Sequence, residues 1–125
     1  MRKQATVLGL TTALAAIALA TPATASAAAG FEGCDTYTNG TVCARVNATS
    51  VEVRYQKTGG STANTTFGYR YGNLYYTGPT VSIAVGKTVT KKMPLTRKPG
   101  TILQGIVASA GTEISHGLKT MYIRT

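Results

Sequence analysis

The sequence has no tryptophan, one histidine, two cysteines, four prolines and only four acidic residues in 125. Each scarcity closes off a class of function. His116 is the only imidazole, so any nucleophilic or acid–base relay would have to run through it. It stands in Ser115-His116-Gly117, which reads as a turn, and no serine lies in a nucleophile elbow. The carboxylates are Glu32, Asp35, Glu52 and Glu113, and glycoside cleavage would need Glu52 and Glu113 to meet across the fold. A metal site would have to begin from Glu113 and His116, which point to opposite faces in extended chain. No catalytic residue, metal ligand or cofactor is therefore expected, and the chain is not expected to be an enzyme.

Long apolar runs are equally scarce. The one present, residues 5–20, follows the positive start Met1-Arg2-Lys3 and precedes the small-x-small site Ala25-Ser26-Ala27. That order predicts a secretory signal peptide at 1–27, a short mobile arm at 28–33 and one domain at 34–125. The run is shorter than the roughly 20 residues that span a bilayer, and no later segment could stop transfer. The protein is expected to be secreted, extracellular and not membrane-embedded. Loss of Arg2 and Lys3 leaves 11 basic residues against 4 acidic ones, a net charge of +7 instead of the formal +9.

In an exported chain two cysteines predict one disulfide, Cys34–Cys43. A two-residue Asn39-Gly40 turn would leave them diagonal across a hairpin, about 7–8 Å apart. A four-residue loop over 37–40, with Gly40 left-handed, pairs Thr36 with Thr41 and sets Cys34 opposite Cys43. That register is the expected one.

Residues 28–125 hold 17 of the threonines and all nine aromatics, and from Cys34 onward period-two alternation dominates. Val51, Val53 and Tyr55 alternate with Glu52, Arg54 and Gln56; Phe67, Tyr69 and Tyr71 alternate with Gly68 and Arg70; Val81, Ile83 and Val85 alternate with Ser82 and Ala84. Segments 41–47, 88–93, 101–108 and 118–124 continue the pattern between glycine- and proline-containing turns. No window carries a capped helical stripe. The predicted fold is all-β, a small antiparallel immunoglobulin-like sandwich of about seven strands with one hairpin disulfide, although it lacks the tryptophan and the wide cysteine pair of antibody domains. A small barrel of the OB type is the structural alternative. Val85-Gly86-Lys87-Thr88 echoes the end of a P-loop, but Val81 stands where the motif needs glycine and a strand follows where it needs a helix.

Two surface features remain. Residues 67–76 pack five aromatics and Arg70 into ten positions; Phe67, Tyr69 and Tyr71 share one face and are expected in the core, while Tyr75 and Tyr76 cannot both point inward. Arg70, Tyr75 and Tyr76 are thus candidate partner-binding residues. Lys87, Lys91, Lys92, Arg97 and Lys98 put five cations in twelve residues with no acid between, which suits a solvated edge strand guarded against pairing or a basic patch for an anionic partner. Nucleic acid is excluded as a physiological partner by export. The sequons at Asn39, Asn47 and Asn64 matter only in a eukaryotic secretory route, and the Ala- and Thr-rich leader resembles those of high-GC Gram-positive bacteria.

With no catalytic set, the expectation is a secreted protein-binding domain. An adaptor docking by strand addition is the first reading; an inhibitor presenting the 37–40 or 94–100 loop to a secreted hydrolase, and a module binding anionic cell-wall polymer or polysaccharide, are the alternatives. The export signal, the early close cysteine pair, the missing catalytic residues and the all-β pattern together resemble the small secreted immunoglobulin-like adaptor subunits of bacterial umbrella toxin particles. That resemblance implies a toxin complex in which the 28–33 arm inserts into a partner subunit, with Phe31 its one large apolar anchor.

Overall fold

Alternation decides which face each strand buries, and the third strand shows it most plainly. The computed structural model describes residues 30–96 and 98–125. The expected signal peptide, residues 28 and 29 of the arm, and Arg97 of the basic cluster lie outside the described residues. In chain order the strands are β1 (Gly33–Tyr37), β2 (Gly40–Val46), β3 (Ser50–Lys57), β4 (Ala63–Tyr71), β5 (Leu74–Ile83), β6 (Thr88–Pro94), β7 (Ile102–Ser109), β8 (Leu118–Lys119) and β9 (Ile123–Arg124), with a 3-10 turn at Ile114–His116. In β3, Val51, Val53, Tyr55 and Lys57 are buried while the residues between them are only partly covered.

The strands form two antiparallel sheets, β1-β2-β3-β6 and β8-β7-β4-β5, with β9 continuing beside β7 after β8. With β1 set aside, the strands of one sheet correspond in order to A, B and E of an immunoglobulin-like sandwich, and those of the other to C′, C, F and G. β1 is an added edge strand on the first sheet. Val42, Val51, Val53, Tyr55, Phe67, Tyr69, Leu103 and Val107 fill the space between the sheets. A second, smaller cluster of Ile106, Ala108 and Ile114 lies on the opposite face of the β4–β7 sheet, where the 3-10 turn folds back. Gly68 makes that covering possible, since a β-carbon there would stand 2.7 Å from Ile114 Cγ1.

The cysteine register is as expected, with Cys34 opposite Cys43 and Thr36 opposite Thr41. The two sulfurs are bonded and the Cα atoms lie 4.1 Å apart. The turn differs from expectation. Tyr37 pairs with Gly40, so the loop is only Thr38-Asn39, and Gly40 is not among the glycines with positive φ. Glycine is needed there for proximity instead: a β-carbon would meet Gln56 O at 2.5 Å and the Tyr55 ring at 2.6 Å.

Three further boundaries depart from the alternation. The strand expected around 81–85 begins at Leu74 and ends at Ile83; Val85 falls in a turn closed by the Lys87 N–H on Ala84 O, 3.1 Å, with Gly86 at φ +89°. The last expected strand is divided into β8 and β9, bridged by buried Thr120, whose N–H donates to Gly105 O and whose Oγ1 accepts from Gly105 N. The arm's described portion is tied to the sheet. Gly33 is already in β1, Glu32 N donates to Ala44 O at 2.9 Å, and Glu32 Oε2 accepts from Val46 N at 2.9 Å.

Candidate functional site

The β4–β5 hairpin turns at Gly72-Asn73, where Gly72 takes φ +61°. Residues directly opposite one another in an antiparallel pair share a face. Tyr76 opposes Tyr69 and Leu74 opposes Tyr71, which places both on the inward face at the margin of the core, while Tyr75 opposes Arg70 on the outer face. The pair of tyrosines therefore splits between faces, and both remain accessible: Leu74 is 76% exposed, Tyr75 43% and Tyr76 39%.

Each of these side chains is oriented by its neighbours. The Tyr76 ring stacks on Tyr69, centroids 5.0 Å apart and 16° from parallel. Tyr69 is anchored beneath it by its hydroxyl, which donates to Pro94 O in the other sheet, and burial, with Tyr76 and Tyr71 nearby, pushes its phenol above the ordinary tyrosine range. The Arg70 guanidinium lies 5.9 Å from the Tyr75 ring centre, and its Nε donates to Gly72 O at 2.8 Å. A shallow groove of about 530 Å³ runs beside Tyr75 and Thr77, with residues 111–115 as its other wall.

Among the described residues β5 is an edge strand, hydrogen-bonded to β4 alone. It carries no charged residue, unlike β6, the edge of the other sheet, which holds Lys91 and Lys92. Edge strands are normally guarded by charge, proline or a bulge. Here the guard sits mid-strand: Gly78 and Pro79 together oppose Phe67, a bulge that divides residues 74–77 from the remainder.

The other expected site residues are dispersed. Phe31 is half-buried under two guanidiniums, 4.5 Å from Arg54 and 5.0 Å from Arg45, on the outer face of the β1–β3 sheet and away from the hairpin. The lysines do not form one patch. Lys91 opposes inward-facing Val53, whereas Lys92 opposes Glu52 on the outer face; Lys87 lies in the turn before β6, and Lys98 is exposed beyond it. The loop after β6 is held by Tyr71, whose hydroxyl donates to Lys98 O at 3.0 Å and accepts from Lys98 N. The 37–40 tip is likewise anchored, Asn39 O accepting from Thr58 N and Gly59 N at 2.8 and 3.2 Å. Glu113 and His116 close a 3-10 turn, His116 N donating to Glu113 O, instead of standing in extended chain.

Sequence reasoning passed over Lys57, which is buried although it is a lysine. The signal was in the pattern: the inward series Val51, Val53, Tyr55 reaches position 57 two residues on. Among the described residues no helix is long and apolar enough to cross a membrane, and no group of three or more His, Cys, Asp or Glu is placed to hold a metal ion. Comparison with family models, with curated proteins and with solved structures finds no match to this chain.

Proposed function

We propose that the protein is an exported, non-enzymatic binding domain that joins extracellular proteins, docking through the free edge of β5 at residues 74–77. The observation that carries this reading is a ten-residue edge strand without a charge, bearing exposed Leu74, Tyr75 and Tyr76. An edge of this kind offers unpaired backbone groups to an extended partner segment, and side chains on both faces of that segment then find apolar contacts, Tyr76 and Leu74 on one and Tyr75 on the other. Arg70 beside Tyr75 adds the aromatic and arginine pairing typical of interface anchors. The disulfide on the opposite sheet suits an oxidising compartment. An adaptor subunit of a toxin-type assembly fits this reading, with the partner bound at β5 instead of through residues 30–33, which are already held on β2.

Affinity purification of the tagged protein from the culture supernatant of its native producer tests the proposal. Stoichiometric recovery of large exported proteins is the expected result. Recovery of a single hydrolase supports an inhibitor instead, and cosedimentation of the monomer with insoluble wall material supports a polymer-binding module.

A further inference from the structure

At the end of the sandwich where β3 finishes and β4 begins, the two sheets part around a cleft of about 450 Å³. Lys57 lies in its wall, 5% exposed, because strand alternation turns it inward after Tyr55. Its backbone is fixed on both sides, N–H donating to Lys87 O at 3.0 Å and C=O accepting from Gly86 N at 2.8 Å. Yet its ammonium makes no hydrogen bond or ion pair with any of the described residues. No carboxylate lines the cleft among the described residues.

The Lys57 stem is packed away while its ammonium reaches the open cleft, a cation with no counter-charge among the described residues that line it. The surroundings here are built to receive one. Asn39 Nδ2 and Lys57 Nζ both lie close to Gly60, 3.3 and 3.4 Å from where a β-carbon on that residue would stand. Asn39 itself is held by the two amides that donate to its carbonyl and by the Tyr55 hydroxyl, 3.3 Å from the same oxygen. Ser61, Thr65, Ser109 and Thr112 line the cavity around these donors. The volume is that of a small-ligand site, with a few convergent polar groups over an apolar wall of Val107 and Leu118.

We infer that this cleft binds an oxyanion, a carboxylate or phosphate, gripped by Lys57 Nζ and Asn39 Nδ2 with its polar body against the surrounding hydroxyls. The anion neutralises a charge that the fold otherwise leaves bare. The site is separate from the β5 edge and stands whether or not that edge binds a partner.

Two-dimensional amide NMR of the full chain, titrated in turn with inorganic phosphate, galacturonate and polygalacturonate, tests the inference. Saturable shifts of Asn39, Lys57 and Gly60 with at least one of the three are expected; phosphate alone identifies a phosphoryl ligand, the monomer a free sugar acid, and the polymer alone an acidic chain. Lys57→Met keeps the stem packed and removes the charge. It weakens binding by about ten- to a hundredfold, the worth of one charge-assisted hydrogen bond, whereas Lys87→Met in the neighbouring turn leaves it unchanged. The effective anion raises the thermal midpoint of the wild type and not of Lys57→Met. Shifts that stay linear in anion concentration for all three probes, or that persist in Lys57→Met, would overturn the site; the wild-type titration decides this even if the variant does not fold.

Discussion

Tyr69 and Tyr76 stack across β4 and β5 at 5.0 Å, one ring sealed in the core and the other on the open edge. The pair links the interior to the edge proposed for docking. Tyr69 is fixed by its hydrogen bond to Pro94 in the opposite sheet, Tyr76 is fixed by Tyr69, and Tyr75 is thereby turned to the outer face beside Arg70.

Removing the anchor separates its two contributions. Tyr69→Phe loses only the bond to Pro94 O and is expected to cost about 1 kcal/mol. Tyr69→Ala also empties the core beneath Tyr76 and should cost about 3–5 kcal/mol. Urea denaturation of the two variants gives both values.

The disulfide closes a short loop, with a sequence separation of 9, and Cys43 is fully buried. Replacing both cysteines with serine is expected to lower stability by about 2–3 kcal/mol through loop-closure entropy. Mass spectrometry of the non-reduced wild-type protein should show no free thiol.

Gly40 and Gly86 make a matched comparison. A methyl at Gly40 meets backbone and the Tyr55 ring, while at Gly86 it meets nothing within 4 Å and strains only a φ of +89°. Gly86→Ala should cost about 1 kcal/mol. Gly40→Ala should cost clearly more, and thermal melts that rank them in the other order would refute the close-approach explanation.

Glu52 sets an acid limit on stability. Asn47 Nδ2 donates to its carboxylate at 2.8 Å and Arg45 Nη2 at 3.1 Å, and these bonds hold its pKa below the ordinary 4.5. A depressed carboxylate contributes fully above the unfolded-state pKa and loses that contribution as pH falls through the lower folded value. The urea midpoint should therefore fall as pH drops below about 4.5. Glu52→Gln should flatten that fall, at a cost of about 0.5–1 kcal/mol near neutrality.

Much of this architecture was legible from the sequence because the core obeys a two-residue period. The Val51 series, the Phe67 series and the cysteine register are all read directly from spacing. What spacing did not reveal has physical causes. β5 runs on through Gly78-Pro79, a bulge tolerated at an edge, where the two-residue period is interrupted. Gly40 looked like a left-handed turn residue because its true constraint, the Tyr55 ring, comes from another strand. Phe31 looked free because the arginines that cover it lie on β2 and β3. Lys57 is turned inward by its place in the alternation, against the usual exposure of lysine.

The central claim is that β5 is the docking edge, and site-specific photo-crosslinking tests it most directly. A photoreactive phenylalanine analogue is placed at position 74 or 75, or at Lys92 on the outer face of β6 in the other sheet, and each variant is irradiated in culture supernatant of the native producer. The account predicts one dominant exported protein crosslinked from positions 74 and 75 and none from position 92. Crosslinks from position 92 alone, or none from 74 and 75 while a partner still copurifies, would contradict it.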